Sequence, residues 1–282
     1  MKQNYTLLLT ACVNPNKMAF TALQDREERL VQYITSVYYY YTHTNFPIIL
    51  CNNSGDDFGD TFKNLKKDRF EYLFFDGNNY NRSLGKGYGE FNIIKTAVQR
   101  SRFINTDTII IKITGRIIIP NIKHIINKTR KMSGFDNNTV LARISPDSPF
   151  AYSECIVGPS SFFKMLSCQE NIINDTTGYY FEHLLFDTLI HSNTSYCPFT
   201  SPLRKVGVSG TTNTKYYNGH SEIITQLEEV IVFFTKQSVA KRGVDPICFI
   251  RYKYLIFLIH VKLKILKMIW AVKGEIKKIL HY

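Results

Sequence analysis

The chain reads as an α/β protein with a mostly parallel sheet and flanking helices, and three observations predict this class. Apolar strand-like runs alternate with helical patterns from Thr6 to Arg116. One run, Thr108 to Ile113, is almost continuously β-branched, as a strand covered on both faces requires. Polar residues gather immediately after the strand-like runs, the rim where open α/β sheets bind ligands.

Thr6 to Val13 is a buried strand that stops at Asn14-Pro15, because a residue before proline is driven out of the helical region. Gln24 to Tyr41 opens with the charges Asp25 to Arg29 and then places Leu30, Ile34, Val37 and Tyr41 at helical spacing. Pro47 to Cys51 is a second strand, closed by the turn formers Asn52 to Asp57, and Glu71 to Phe75 is a third, stopped by Asp76-Gly77. A glycine-rich loop, Ser83 to Glu90, leads into a helix, Glu90 to Phe103, that keeps Phe91, Ile94, Ala97, Val98 and Ser101 on one face. The strand Thr108 to Ile113 follows.

Beyond Pro120 the pattern is less regular. It contains a strand at Thr139 to Ile144, a turn at Pro146 to Phe150, a short apolar segment at Cys155 to Val157, and a helix at Gly178 to Ile190 carrying Glu182, His183 and Asp187. Gly207 to Tyr216, rich in Ser, Thr and Gly, reads equally as a lid or a linker. The predicted organisation is one domain over 1–220 and a helical, basic region over 221–282.

With 282 residues, 44% of them hydrophobic, the chain can bury a sizeable core. Its net charge of +12 is uneven: residues 241–282 hold ten Lys and Arg against two acids, which leaves +4 for everything before them. No nucleic-acid partner is expected for the body. Six cysteines are scattered without CxxC spacing and read as thiols in a reducing compartment. Leu9 to Cys12 imitates a lipoprotein cleavage box, but the apolar run before it is shorter than the roughly 7–15 residues of an export signal. Ile247 to Leu280 interleaves aromatic and aliphatic residues with Arg251, Lys253, Lys262, Lys264 and Lys267. Its longest uncharged run, Tyr254 to Ile259, falls far short of the ~20 residues that span a bilayer. The segment 247–280 is therefore expected to lie on an anionic membrane surface, the alternative being a helix packed on the domain or a partner. The expected location is cytoplasmic, peripheral on the inner face of the cytoplasmic membrane.

Gly85, Gly87 and Gly89 let backbone N–H groups approach an anion, and the following helix points its positive dipole end at the same place. The stretch reads as a cradle for a nucleotide diphosphate, or else as a tight turn before a helix. Lys86, Lys112 and Arg116 supply cations around it, although a mid-strand Lys112 would equally serve a structural salt bridge. Asn14, Asn52, Asn53 and Asp76 fall at strand ends and are candidates for base and ribose contacts, though turn formation alone would explain them.

Taken in order, Asp25 to Leu30, Asn52-Asn53-Ser54-Gly55, Gly85 to Glu90, Lys112 to Arg116, Tyr180-Phe181-Glu182-His183 and Gly207 to Gly210 resemble the GT-A nucleotide-sugar glycosyltransferases. The likeness is in particular to the small bacterial transferases of lipopolysaccharide and capsule synthesis, and it spans roughly Thr6 to Tyr217. The resemblance implies a GT-A-like, Rossmann-type domain moving a hexose from a nucleotide-sugar donor, UDP foremost, to a glycan or lipid-linked glycan acceptor. In that family the strand matching Thr108 to Ile113 usually ends in Asp-x-Asp, which holds a divalent metal; this chain has no Asp-x-Asp. Lys112 and Arg116 take the place, so the expectation is metal-independent neutralisation of the leaving diphosphate with no cofactor required. In the alternative, Asp147 recruits Mn²⁺ or Mg²⁺, and Arg116 is solvated or pairs with Glu90. The resemblance makes Glu182 the general base on the acceptor hydroxyl, with His183 as substitute. Two further readings stand beside it: a nucleotidyltransferase using the same cradle, and a non-catalytic protein docking on acidic lipid or nucleic acid through 241–282.

Overall fold

The computed structural model describes residues 4–18, 21–133, 138–145, 147–169, 172–192, 194–216, 218–236 and 246–280. The chain divides into two compact units: unit 1 is Met1–Ile119, Asn137–Cys197 and Lys205–Tyr216, and unit 2 is Pro120–Asp136, Pro198–Arg204 and Tyr217–Tyr282. Unit 2 thus takes in two segments upstream of the boundary expected at residue 220.

Unit 1 is built on a seven-stranded sheet of order β3-β2-β1-β4-β6-β5-β7. Its strands are β1 (Tyr5–Ala11), β2 (Ile48–Asn52), β3 (Phe70–Phe74), β4 (Ile109–Thr114), β5 (Val140–Ile144), β6 (Ala151–Pro159) and β7 (Tyr196–Cys197). The first four in sheet order run parallel, β6 is antiparallel to both β4 and β5, and β7 is parallel to β5. This is the expected α/β class. The central strands read as unbroken apolar runs because both faces are covered: Leu7, Leu8 and Leu9 of β1 and Ile110, Ile111 and Ile113 of β4 are all fully buried. The helices of unit 1 are α1 (Arg26–His43), α2 (Gly85–Arg100), α4 (Ser160–Ser167) and α5 (Phe181–His191), while α3 (Ile122–Ser133) belongs to unit 2.

Two expectations are corrected here. The buried face of α1 is Arg29, Tyr33, Ser36, Val37 and Tyr40, one residue out of phase with the predicted Leu30, Ile34, Val37 and Tyr41 stripe. Hydrogen bonding makes the polar positions tolerable: the Arg29 guanidinium donates to the carbonyls of Cys12 (2.8 Å) and Leu23 (3.1 Å), and Tyr40 Oη donates to Ile117 O at 3.1 Å. The glycine stretch is not a loop. Helix α2 begins at Gly85, so Gly87 and Gly89 are helical, and Leu84 ahead of them provides no side-chain cap.

Unit 2 consists of α3, α6 (His220–Lys236), α7 (Pro246–Leu280) and the segment Pro198–Arg204. That segment is tied in by Gln226, whose amide accepts from Leu203 N at 2.8 Å and donates to Leu203 O at 3.3 Å, and by a Thr129–Thr200 hydroxyl contact at 3.1 Å. Helix α7 packs on α6 and α3. Among the described residues no helix is long and apolar enough to cross a membrane. Residues 241–245 and the side chains of Cys248, Arg251 and Lys253 lie outside the described residues.

Candidate functional site

A cavity of about 290 Å³ opens at the carboxyl ends of the parallel strands of unit 1. The register of β1 against β4 pairs Thr10 with Thr114, so two hydroxyls stand side by side on the strand ends. Both donate to the same carboxylate oxygen of Glu90, each at 3.3 Å, and Glu90 stands in the second turn of α2. Lys112, two residues before Thr114 and therefore on the same face of β4, ion-pairs with Glu90 and also donates to the Ser153 carbonyl. The Lys112 side chain is 0% exposed and does not line the cavity. The expected phosphate contact of Lys112 is thereby corrected: its charge is spent on Glu90, the structural alternative.

Arg116 does line the cavity. One guanidinium nitrogen donates to Gln32 Oε1 at 2.9 Å and to Val208 O at 3.2 Å, while its buried Nε has no hydrogen-bond partner. Gly210 allows this position, since a Cβ there would sit 2.2 Å from Arg116 Nη2. Lys86 reaches the cavity from the first turn of α2 and donates to Thr211 Oγ1. Ser209, Gly210, Thr211 and Tyr216 form one wall, so the Gly207 to Tyr216 segment belongs to the site, pinned by the bridges Ile118–Val206 and Val208–Lys215.

Glu182, in the first turn of α5, faces the same cavity. Burial pushes its carboxyl above the ordinary glutamate range; the hydrogen bond from Ser153 Oγ at 2.7 Å opposes this, and the Glu90 charge adds to the rise. Ser153 also reaches Glu90 at 3.4 Å, so one hydroxyl bridges the two carboxylates. Its neighbour Glu154 is engaged by Lys205 at 3.2 Å and Arg143 at 3.7 Å. Asn53 is buried on the cavity wall, and its Oδ1 has no hydrogen-bond partner.

Several expected site residues do other work. The N-terminus of α2 already holds an anion of the chain's own: Asp175 accepts from Gly87 N at 3.3 Å, and a Cβ at Gly85 would fall 2.1 Å from its Oδ2. At Gly87 a Cβ would meet Asp175 Oδ1 at 2.9 Å and the Phe181 backbone nitrogen at 3.1 Å. Gly85 and Gly87 are thus required by the approach of another part of the fold, which corrects their assignment to a diphosphate; of the three glycines only Gly89 lines the cavity. His183 is also corrected. Its Nδ1 accepts from Tyr180 N at 3.0 Å, capping α5, and its ring stacks on Tyr179 and Tyr180 away from the cavity lining. Asn52 is fully buried and bolts the β2 turn, accepting from Val13 N at 3.4 Å and Ser54 Oγ at 2.8 Å and donating to Asp56 O at 2.8 Å. Asn14 caps its own turn at Asn16 N (3.1 Å), Asp76 bridges to Ser54, and Asp147 lies in an exposed turn; none of the three lines the cavity. Among the described residues no group of three or more His, Cys, Asp or Glu is arranged to hold a metal ion.

Sequence reasoning missed Arg29, Tyr33, Tyr80, Ser153 and Glu154, all of which line the cavity. Ser153 and Glu154 lie on β6, where Ala-Tyr-Ser-Glu-Cys shows no apolar alternation that would mark them in the sequence. Arg29 carried no such sign, since the expected buried phase of α1 ran through Leu30 and Ile34.

No protein-family model matches the chain, and no curated protein does. Solved structures give a distant structural similarity. S. aureus TarS 1–349 aligns at 10% identity and a TM-score of 0.41, covering 82% of this chain and 65% of that one. The WbbM bifunctional glycosyltransferase aligns at 9% and 0.42, covering 81% and 45%. The 4-diphosphocytidyl-2C-methyl-D-erythritol synthase from Anaerococcus prevotii DSM 20548 aligns at 11% and 0.37, covering 80% and 96%. The chain therefore spans less than two thirds of TarS 1–349 and less than half of WbbM. Likenesses of this strength carry no argument about chemistry.

Proposed function

We propose that unit 1 is a glycosyltransferase that moves a hexose from a nucleotide diphosphate sugar, UDP foremost, to a hydroxyl of a glycan or lipid-linked glycan of a bacterial surface. The observation that carries the reading is the cavity itself. It faces the buried guanidinium of Arg116 and the Lys86 ammonium toward a desolvated carboxylate, Glu182, at the rim where α/β sheets take nucleotides.

In this reading the donor diphosphate lies against Arg116 and Lys86, whose charges stabilise the negative charge that grows on it as the anomeric carbon–oxygen bond breaks. Glu182, ionised, accepts the proton of the acceptor hydroxyl as that oxygen bonds to the anomeric carbon. The products are the glycoside, the nucleoside diphosphate and a protonated Glu182. Asn53 Oδ1, a buried acceptor without a partner, suits an N–H of the nucleotide base. Cationic side chains here take the part a divalent ion plays elsewhere, so binding is expected without Mn²⁺ or Mg²⁺.

The test is thermal stabilisation of the purified chain by UDP and other nucleotides, with and without EDTA, repeated for Lys86→Ala and Arg116→Ala. The reading expects UDP to raise the Tm, EDTA to leave the shift intact, and both substitutions to reduce it. Incubation with UDP-sugars and a hydroxyl acceptor should release UDP; release of pyrophosphate from a nucleoside triphosphate would instead establish nucleotidyl transfer. No shift with any nucleotide overturns the proposal.

A further inference from the structure

Helix α7 has two apolar faces, and only one of them is buried. Ile259 and Leu263 are buried, on the side where α7 packs on α6 and α3. Tyr254, Phe257, Leu258, Val261, Ile265, Met268, Ile269 and Val272 are all exposed, Met268 by 69%. At 100° per residue these eight fall in a single stripe about 120° wide, centred roughly opposite Leu263 and running about 27 Å along the helix. Isolated exposed apolar residues are ordinary; a continuous stripe of this length marks a surface that something covers.

The borders of the stripe say what covers it. Lys262 and Lys273 flank it on one side and Lys264 on the other, and from Tyr254 to Lys273 there is no Asp or Glu. Lys128 of α3 and Arg204 lie close enough to Lys262 to help lower its pKa, although burial is the larger cause. Unit 2 as a whole carries 16 Lys and Arg against 6 Asp and Glu, so it holds ten of the net twelve positive charges. A second copy of the same stripe would bring lysine borders together with no carboxylate to answer them. A surface that is apolar within and anionic at its edge answers both features.

We infer that the outer face of α7 docks on an anionic lipid bilayer surface, with the Tyr254–Val272 stripe sunk to the acyl boundary and Lys262, Lys264 and Lys273 at the headgroup phosphates. The inference rests on unit 2 alone and is independent of the chemistry of unit 1. It fixes an orientation as well: Trp270, the one tryptophan in the chain, projects about 160° from the centre of the stripe and stays in water.

The test is flotation of the full chain with vesicles of phosphatidylcholine alone or with one part in three phosphatidylglycerol. Binding to the mixed vesicles is expected, weakening steeply between 0.1 M and 0.5 M salt. Lys264→Ala with Lys273→Ala should lower partitioning about 25-fold, at about fivefold per lysine. Phe257→Ser with Met268→Ser should lower it at least tenfold. All four positions are exposed, so the melting temperature should stay unchanged in both variants. Trp270 emission should not move on binding. Equal binding to neutral vesicles, no binding to either, or a marked blue shift of Trp270 overturns the inference. So does a stable dimer in solution that Phe257→Ser with Met268→Ser converts to monomer.

Discussion

Glu90→Gln is the substitution that tests how the site is held together. Lys112 is fully buried and Glu90 is 22% exposed, so the pair sits at the boundary between core and cavity. Replacing the carboxylate by an amide leaves a buried ammonium with neutral acceptors alone, the amide oxygen, the Ser153 carbonyl and Thr114 Oγ1, and no countercharge. Breaking a buried pair from one side costs about 3–5 kcal/mol, and the partial exposure of Glu90 places this case near about 3 kcal/mol. For a unit of this size that corresponds to a fall in Tm of about 6–12 °C. Adding Lys112→Met removes the stranded charge, and the double variant should return to within about 1 kcal/mol of the wild type. Thermal and urea denaturation of the four proteins at pH 7 measure the cycle. A Tm for Glu90→Gln within 2 °C of wild type, or strictly additive effects in the double variant, refutes the argument that Glu90 holds Lys112 in the core.

Gly87→Ala should destabilise unit 1 by about 1–3 kcal/mol in urea unfolding, because its Cβ meets a backbone nitrogen that is fixed in α5 as well as the Asp175 carboxylate. Asn52→Ala should cost about 2–3 kcal/mol while leaving the UDP-induced shift in Tm intact, whereas Asn53→Ala should remove that shift at little cost in stability. Glu182 has a raised pKa, so folding favours its protonated form and the penalty of ionising it is felt as the pH climbs from the ordinary glutamate range upward. Glu182→Gln should therefore raise the Tm at pH 7, with the gain vanishing in acid, and should abolish transfer to the acceptor while sparing nucleotide binding. In the wild type the transfer rate should fall with decreasing pH through a midpoint above that of an ordinary glutamate.

The parallel half of the sheet was legible because its strands are buried on both faces and write themselves as apolar runs such as Ile109 to Ile111. Arg116 was singled out at the end of a strand and Glu182 through the family resemblance alone; both line the cavity. The glycines were misread for a physical reason. A run of glycine reports only that something approaches the backbone closely, and the same pattern serves a ligand or a distant carboxylate such as Asp175. The α1 face was misphased because Arg29 and Tyr33 are buried among acceptors supplied by Cys12 and Leu23, which have no counterpart in the local periodicity. Likewise nothing near Lys112 in sequence announces Glu90, 22 residues away and on another element.

Asp175 stands 88 residues after Gly87, and that interval is also a time. At the usual pace of synthesis, about 5–20 residues per second, the ribosome delivers the carboxylate roughly 4–18 seconds after the helix start it caps. Through that wait the first turn of α2 has glycine at 85 and 87, weak helix formers, and no side-chain cap from Leu84. The nascent chain can pair β1, β2, β3 and β4 while this turn is still unravelled. The wall of the cavity that carries Lys86 therefore gains its carboxylate partner only once the 174–179 segment has been made.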